Sequence, residues 1–233
     1  MGAWHRFVHS VWRHRDVLTR VLLGLLVLNA GRLAFAKYWP QHEAAATPVV
    51  APYKVVLRAM RHKPDGTEVL RWTETFAVTG AGASMWRWEG EQGGAAYASR
   101  EIYLPSGHRI SVDDVGEMKA TSPWSDYRNR LRNPRYDCMK SMDGVDVRGE
   151  RLDDGRVGEW RVVRIRLGPA IEAFAPAAGC APLGGTGTAG PAGYMEKQVV
   201  SLAQTEPDAD LFSIPVRYRE VDYRALGGLR RLQ

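Results

Sequence analysis

YKVVLRAMRHKPDGTEVLRWTETFAV, residues 53–78, is the stretch from which the fold is read. Tyr53, Val55, Leu57 and Ala59 alternate with Lys54, Arg58 and His62. Successive side chains of a strand point to opposite faces, so this period of two describes a strand with one apolar face. Pro64-Asp65-Gly66 then turns the chain. Proline presets φ, aspartate bonds to nearby backbone, and glycine accepts a positive φ. Leu70, Trp72, Phe76 and Val78 follow on one side, against Arg71, Thr73 and Thr75 on the other. Two alternating runs about one turn predict an antiparallel hairpin.

The same pattern continues outward. Gly80-Ala81-Gly82 breaks the run, Met85 to Glu89 alternates again, and Gly93-Gly94 makes another turn. Tyr97 to Leu104 reads as a strand ended by Pro105-Ser106-Gly107, with His108 to Val112 continuing the meander. One helix is expected next: Ser122 caps it, Pro123 takes its first position, and Asn133-Pro134 stops it. Trp124, Tyr127 and Leu131 give that helix one apolar stripe, leaving Arg128, Arg130 and Arg132 to a solvated face. After Cys138 a second hairpin is expected. It runs from Val145 and Val147 through a turn at Asp153-Asp154-Gly155 to a strand over Trp160 to Leu167. A β-bulge near Val162-Val163 would bring that strand's two apolar sets to one face. Ile171 to Phe174 reads as a short strand, Leu183 to Gly193 as a flexible loop, and Tyr194 to Ala203 as the last long strand. The expectation is a mainly β (α+β) domain: a curved antiparallel sheet, open or partly closed, with one or two packed helices.

Upstream, Val17 to Trp39 places this domain. Val21 to Gly31 is apolar apart from Asn29, Arg32 interrupts, and Leu33 to Ala36 resumes. Basic Arg6, Arg13, Arg15 and Arg20, an apolar run and Ala34-Phe35-Ala36 fit a secretory signal cleaved near Ala36. An uncleaved anchor is the other reading, with Arg20 and Lys37 reaching opposite interfaces and Tyr38 and Trp39 in the outer aromatic belt. Both keep the basic flank inside and send everything after Trp39 outside the cytoplasm. The organisation read is a basic n-region (1–16), an anchor or signal (17–39), a linker (40–52), the exported domain (53–223) and a tail (224–233). Trp4, Phe7, Val8, Val11 and Trp12, interleaved with arginine and histidine, also fit a short helix lying on an anionic membrane surface.

The net charge of +6 is concentrated at the N-terminus. Residues 1–36 hold five arginines and one acid, which leaves 27 basic and 25 acidic residues in the rest. The exported part is nearly neutral with its signs interspersed, unlike a nucleic-acid binder's concentrated basic face. Cys138 and Cys180, the chain's 2 cysteines, are expected to be bridged in an oxidising compartment. Without a CxxC they make no metal site, and no cofactor is expected.

No catalytic motif stands out. Gly185-Thr186-Gly187-Thr188-Ala189-Gly190 matches GxGxxG, but Pro182 and Pro191 flank it where a strand and a helix start are required. Ser84 in GAGASMW lacks the closing glycine of a nucleophile elbow. Asp113-Asp114 and Asp153-Asp154 read as turn residues, and adjacent strand residues face opposite ways. What remains is an excess of aromatics. Trp72, Trp86 and Trp88 on neighbouring strands are the candidates for lining a cavity that takes an apolar ligand.

The C-terminal stretch Glu206-Pro207-Asp208-Ala209-Asp210-Leu211-Phe212-Ser213-Ile214-Pro215-Val216-Arg217-Tyr218 is an acidic turn, Leu-Phe, then x-x-Pro-x-x-Tyr. It resembles the closing motif of bacterial exported β-domain proteins that share the fold of the lipoprotein carrier LolA. The segment Ala173 to Pro182 is also similar to the one preceding their last strand. The resemblance covers about the last 60 residues and implies an antiparallel half-barrel beneath a helical lid, with acyl chains bound in its concave face. Leu211, Phe212, Pro215 and Tyr218 are structural in that motif, and no functional residue is carried over. The resulting expectation is a domain of the bacterial envelope, tethered to the inner membrane through residues 17–39 or released to the periplasm. It binds an apolar ligand such as lipid and performs no catalysis. The alternatives are an interaction subunit of an envelope protein assembly and a hydrolase with scattered acids, the last requiring two carboxylates within about 10 Å of each other in a cleft.

Overall fold

The chain divides into two units, Met1–Pro48 and Val49–Gln233. The computed structural model describes residues 51–124, 131–142, 144–188, 191 and 193–226, all within the second unit. The expected n-region, membrane segment and most of the linker lie outside the described residues, as do residues 125–130 of the expected helix.

Twelve strands form one sheet. β1 (Tyr53–His62), β2 (Glu68–Val78), β3 (Ser84–Gln92), β4 (Ala95–Leu104), β5 (His108–Asp113) and β6 (Met118–Pro123) make a first meander. β7 (Glu150–Val157), β8 (Trp160–Leu167), β9 (Ala170–Ala175), β10 (Ala181–Thr188) and β11 (Tyr194–Ala203) make a second. β1 pairs antiparallel with β11 and joins the two, while the two-residue β12 (Arg219–Glu220) runs parallel to β6 at one edge. All other pairings are antiparallel, as hairpin connections dictate. The expected β1–β2 hairpin is formed, and in it Tyr53 pairs with Val78, Val55 with Phe76, Leu57 with Glu74 and Ala59 with Trp72.

Apolar side chains are buried on both faces of the sheet. On one face Tyr53, Val55, Leu57 and Val78 pack with Leu131, Val162 and Leu183. The opposite parity of β2, β3 and β4 presents Ala77, Met85 and Ile102, against which Leu211, Phe212 and Ile214 are packed. A third cluster surrounds the Cys138–Cys180 disulfide with Val163, Ile165 and Phe174.

Four expectations are corrected. Among the described residues there is no α-helix, and Ser122 and Pro123 end β6 instead of opening one. Pro123 is tolerated there because β12 covers β6 only at Met118 and Lys119, so its missing N–H lies on a free edge. Asp153-Asp154-Gly155 lies inside β7, and the turn to β8 falls at Gly158, with φ of 57°. No bulge gathers the apolar residues of β8. Val162 packs with the first cluster, Val163 and Ile165 with the disulfide, and the register shift lies in β7 between Arg151 and Asp154. The glycine-rich run from Leu183 is largely strand β10, not a flexible loop. A Cβ on Gly184 would come within 2.7 Å of the Lys197 carbonyl oxygen, and one on Gly185 within 2.6 Å of that of Ile171. Glycine there lets backbones approach closely.

Candidate functional site

Trp72 on β2 and Trp86 and Trp88 on β3 line one cavity of about 820 Å³. Strand alternation brings them together: Phe76 pairs with Trp86, Glu74 with Trp88 and Trp72 with Gly90, all of one parity. Trp86 and Trp88 stack with centroids 4.9 Å apart and planes 25° from parallel. Phe76 meets Trp86 edge to face at 6.1 Å. Tyr97 closes over Gly90, where a Cβ would lie 2.7 Å from its hydroxyl and 3.0 Å from the Cβ of Trp72. A larger residue at position 90 would collide with both side chains.

The cavity is not wholly apolar. Glu74, only 3% exposed, lies between the tryptophans. The indole Nε1–H of Trp72 donates to its Oε1 at 2.9 Å, and Lys197 Nζ on β11 donates to its Oε2 at 2.9 Å. The Lys197 ammonium also stands 5.2 Å from the centroid of the Trp86 ring, a distance at which the ring's negative face attracts it. Burial raises the Tyr97 phenol pKa, and the negative charge of Glu74 raises it further. On β4, Tyr103 donates a hydrogen bond to the Glu101 carboxylate. On β5, Arg109 lies between two aromatic faces, 4.8 Å from the Trp124 ring centroid and 4.4 Å from that of Tyr223.

The three predicted tryptophans therefore share one wall. Glu74, Lys197, Glu101, Arg109 and Ser111, all cavity-lining, were absent from the candidates read in the sequence. Parity carried the signal for two of them. Glu74 falls between Trp72 and Phe76, and Lys197 between Met195 and Val199, each on the apolar side of its strand.

The other singled-out residues lie elsewhere. Cys138 and Cys180 are bridged, with Cα atoms 5.7 Å apart, and tie the segment after Leu131 to the β9–β10 corner. The C-terminal motif covers the sheet face opposite the tryptophans. The Pro215 carbonyl accepts from Tyr218 N, and the Tyr218 hydroxyl donates to Asp114 Oδ1 at 3.1 Å. Arg100 Nη2 meets the same oxygen at 3.2 Å, while its Nη1 donates to the Leu211 carbonyl at 2.9 Å. Asp113, expected in a turn, is instead the last residue of β5, and its carboxylate caps the turn that begins at Asp114 by accepting from Val115 N and Gly116 N.

Among the described residues no group of three His, Cys, Asp or Glu side chains is placed to hold a metal ion. No protein-family model matches the chain and no curated protein matches it, so the cavity itself is the ground for a functional reading.

Proposed function

We propose that the protein is a domain of the bacterial envelope, membrane-tethered or exported, that binds an apolar ligand such as a lipid in its cavity. On this reading the open sheet is curved into a half-barrel like that of the lipoprotein carrier LolA, and the tryptophan-lined face is the concave one. The observation that carries the proposal is the convergence of Trp72, Trp86 and Trp88 on one cavity of about 820 Å³. That volume falls in the range of small-molecule sites, which are mostly apolar with a few placed polar groups. The disulfide favours an extracytoplasmic location. Binding is favoured over hydrolysis by the state of the most buried carboxylate: both oxygens of Glu74 already accept hydrogen bonds, from Trp72 and Lys197.

The test is native mass spectrometry of the full-length protein purified from the membrane fraction of its producing cell, with organic extraction of the same sample. The expected result is a co-purified lipid-sized mass that is released on unfolding and recovered in the extract. A protein that carries no added mass and takes up none from lipid vesicles would argue against the proposal.

A further inference from the structure

Resting on this apolar-ligand reading, the inference concerns the chemistry at the β5 end of the cavity. Arg109 is 7% exposed there. Its Nε donates to the Ser122 hydroxyl at 3.3 Å and its guanidinium lies against Trp124 and Tyr223. Among the described residues no carboxylate pairs with it. A buried cation without a counter-ion is costly, and aromatic faces offset only part of that cost. Beside it stand two further donors. Ser111, 5% exposed and two residues along the same strand face, has a buried hydroxyl with no hydrogen-bond partner, and so has the buried indole Nε1–H of Trp124. All three residues line the cavity.

Of the other charged groups lining the cavity, Arg100 pairs with Asp114. Lys197 is spent on Glu74, and Glu101, which faces Ser111 across the β4–β5 ladder, accepts from Tyr103. Beyond the Nε bond to Ser122, the donors of Ser111 and Trp124 beside Arg109 have no acceptor, and the tryptophan wall supplies an apolar surface in the same space. We propose that this end is an anion site. Arg109, Ser111 and Trp124 receive the carboxylate or phosphate head of an amphipathic ligand whose apolar body lies along Trp72, Trp86 and Trp88. A guanidinium suits either oxyanion, because its planar fork matches two oxygens at once.

The experiment titrates the full-length chain, held in phosphatidylcholine nanodiscs, with four probes followed by tryptophan fluorescence. The probes are decanoate, decyl phosphate, decanol and inorganic phosphate. Both decyl anions are expected to bind at least about tenfold more tightly than decanol, roughly the worth of one charge-assisted contact. Arg109→Gln is expected to abolish that preference, bringing both decyl anions down to the affinity of decanol, with Arg109→Lys restoring part of it. Trp124→Phe, which keeps a ring against Arg109 but removes the N–H, is expected to weaken the anions more than decanol. Equal binding of decanol and decanoate would overturn the anion site while leaving the apolar reading intact. Failure of all three decyl probes would remove both. Inorganic phosphate binding as tightly as decyl phosphate would also overturn the proposal, since the site would then serve a free anion.

Discussion

At the scale of single residues, the Glu74–Lys197 pair is where burial and charge meet. Its side chains are 3% and 12% exposed, so each charge depends on the other. Lys197→Met is expected to destabilise the domain by about 3–5 kcal/mol, because it strands a buried carboxylate. The double variant Glu74→Leu with Lys197→Met is expected to recover most of that loss, since removing both charges leaves neither unpaired. Urea unfolding of the two variants measures the difference; equal losses would contradict a buried pair. Tyr53 gives the pH dependence. Burial pushes its phenol pKa far above the ordinary 10.0, opposed in part by the charge of Arg132. A group whose pKa is raised on folding holds its protonated form in the native state, so its contribution is complete below pH 10 and is lost as pH climbs above it. The wild type is therefore expected to lose stability above pH 10 more steeply than Tyr53→Phe, read by thermal melts across the alkaline range. Parallel melting curves would contradict this. That Trp72, Trp86 and Trp88 share one sheet face was legible in the sequence, because strand alternation is local. Arg109 was not, because what distinguishes it is its setting between Trp124 and Tyr223, residues 15 and 114 positions away in a chain whose path the sequence leaves open.

At the scale of elements, the β1–β2 hairpin shows what local chemistry specifies. Asp65 Oδ1 accepts from Thr67 N in its turn, Gly66 has φ of 86°, and the pairing runs from Tyr53–Val78 to His62–Glu68. The β7–β8 hairpin was legible only in outline. Asp-Asp-Gly is a strong turn signal, yet Asp154 instead serves the strand, accepting from Arg151 and Arg161 at 2.8 Å each. Those ion pairs hold Asp154 below the usual carboxylate range. The glycines of β10 misled for a related reason. Glycine marks both looseness and close backbone approach, and only the neighbouring strands decide which. The disulfide bears on the segment after β6, which has two isolated bridges, Arg132 to Ser141 and Lys140 to Asp146, outside the named strands. Its cysteines are 42 residues apart, and replacing both with alanine is expected to cost about 4 kcal/mol by the loop-closure estimate. Chemical denaturation with and without reductant checks it. A wild type indifferent to reductant, with the bond shown to be reduced, would contradict that role.

At the scale of the whole molecule, two antiparallel meanders meet where β1 pairs with β11, so the sheet is closed in sequence near its centre and open at β7 and β12. The Leu-Phe motif covers the face of β2 to β4 opposite the tryptophans, and the cavity is left on the other. A mainly β sheet was legible from alternation and turns, since both are local. The sharing of the two faces was not, because it depends on the return of residues 209–214 across strands more than a hundred positions earlier. The central claim is that the tryptophan wall receives an apolar chain. It is tested most directly by titrating the full-length protein with a brominated fatty acid, whose bromine quenches tryptophan only at contact, beside a Trp86→Phe, Trp88→Phe double variant. Saturable quenching is expected in the wild type, with most of it lost in the double variant at unchanged fold. Quenching of equal size in both proteins, or none in the wild type, would contradict it.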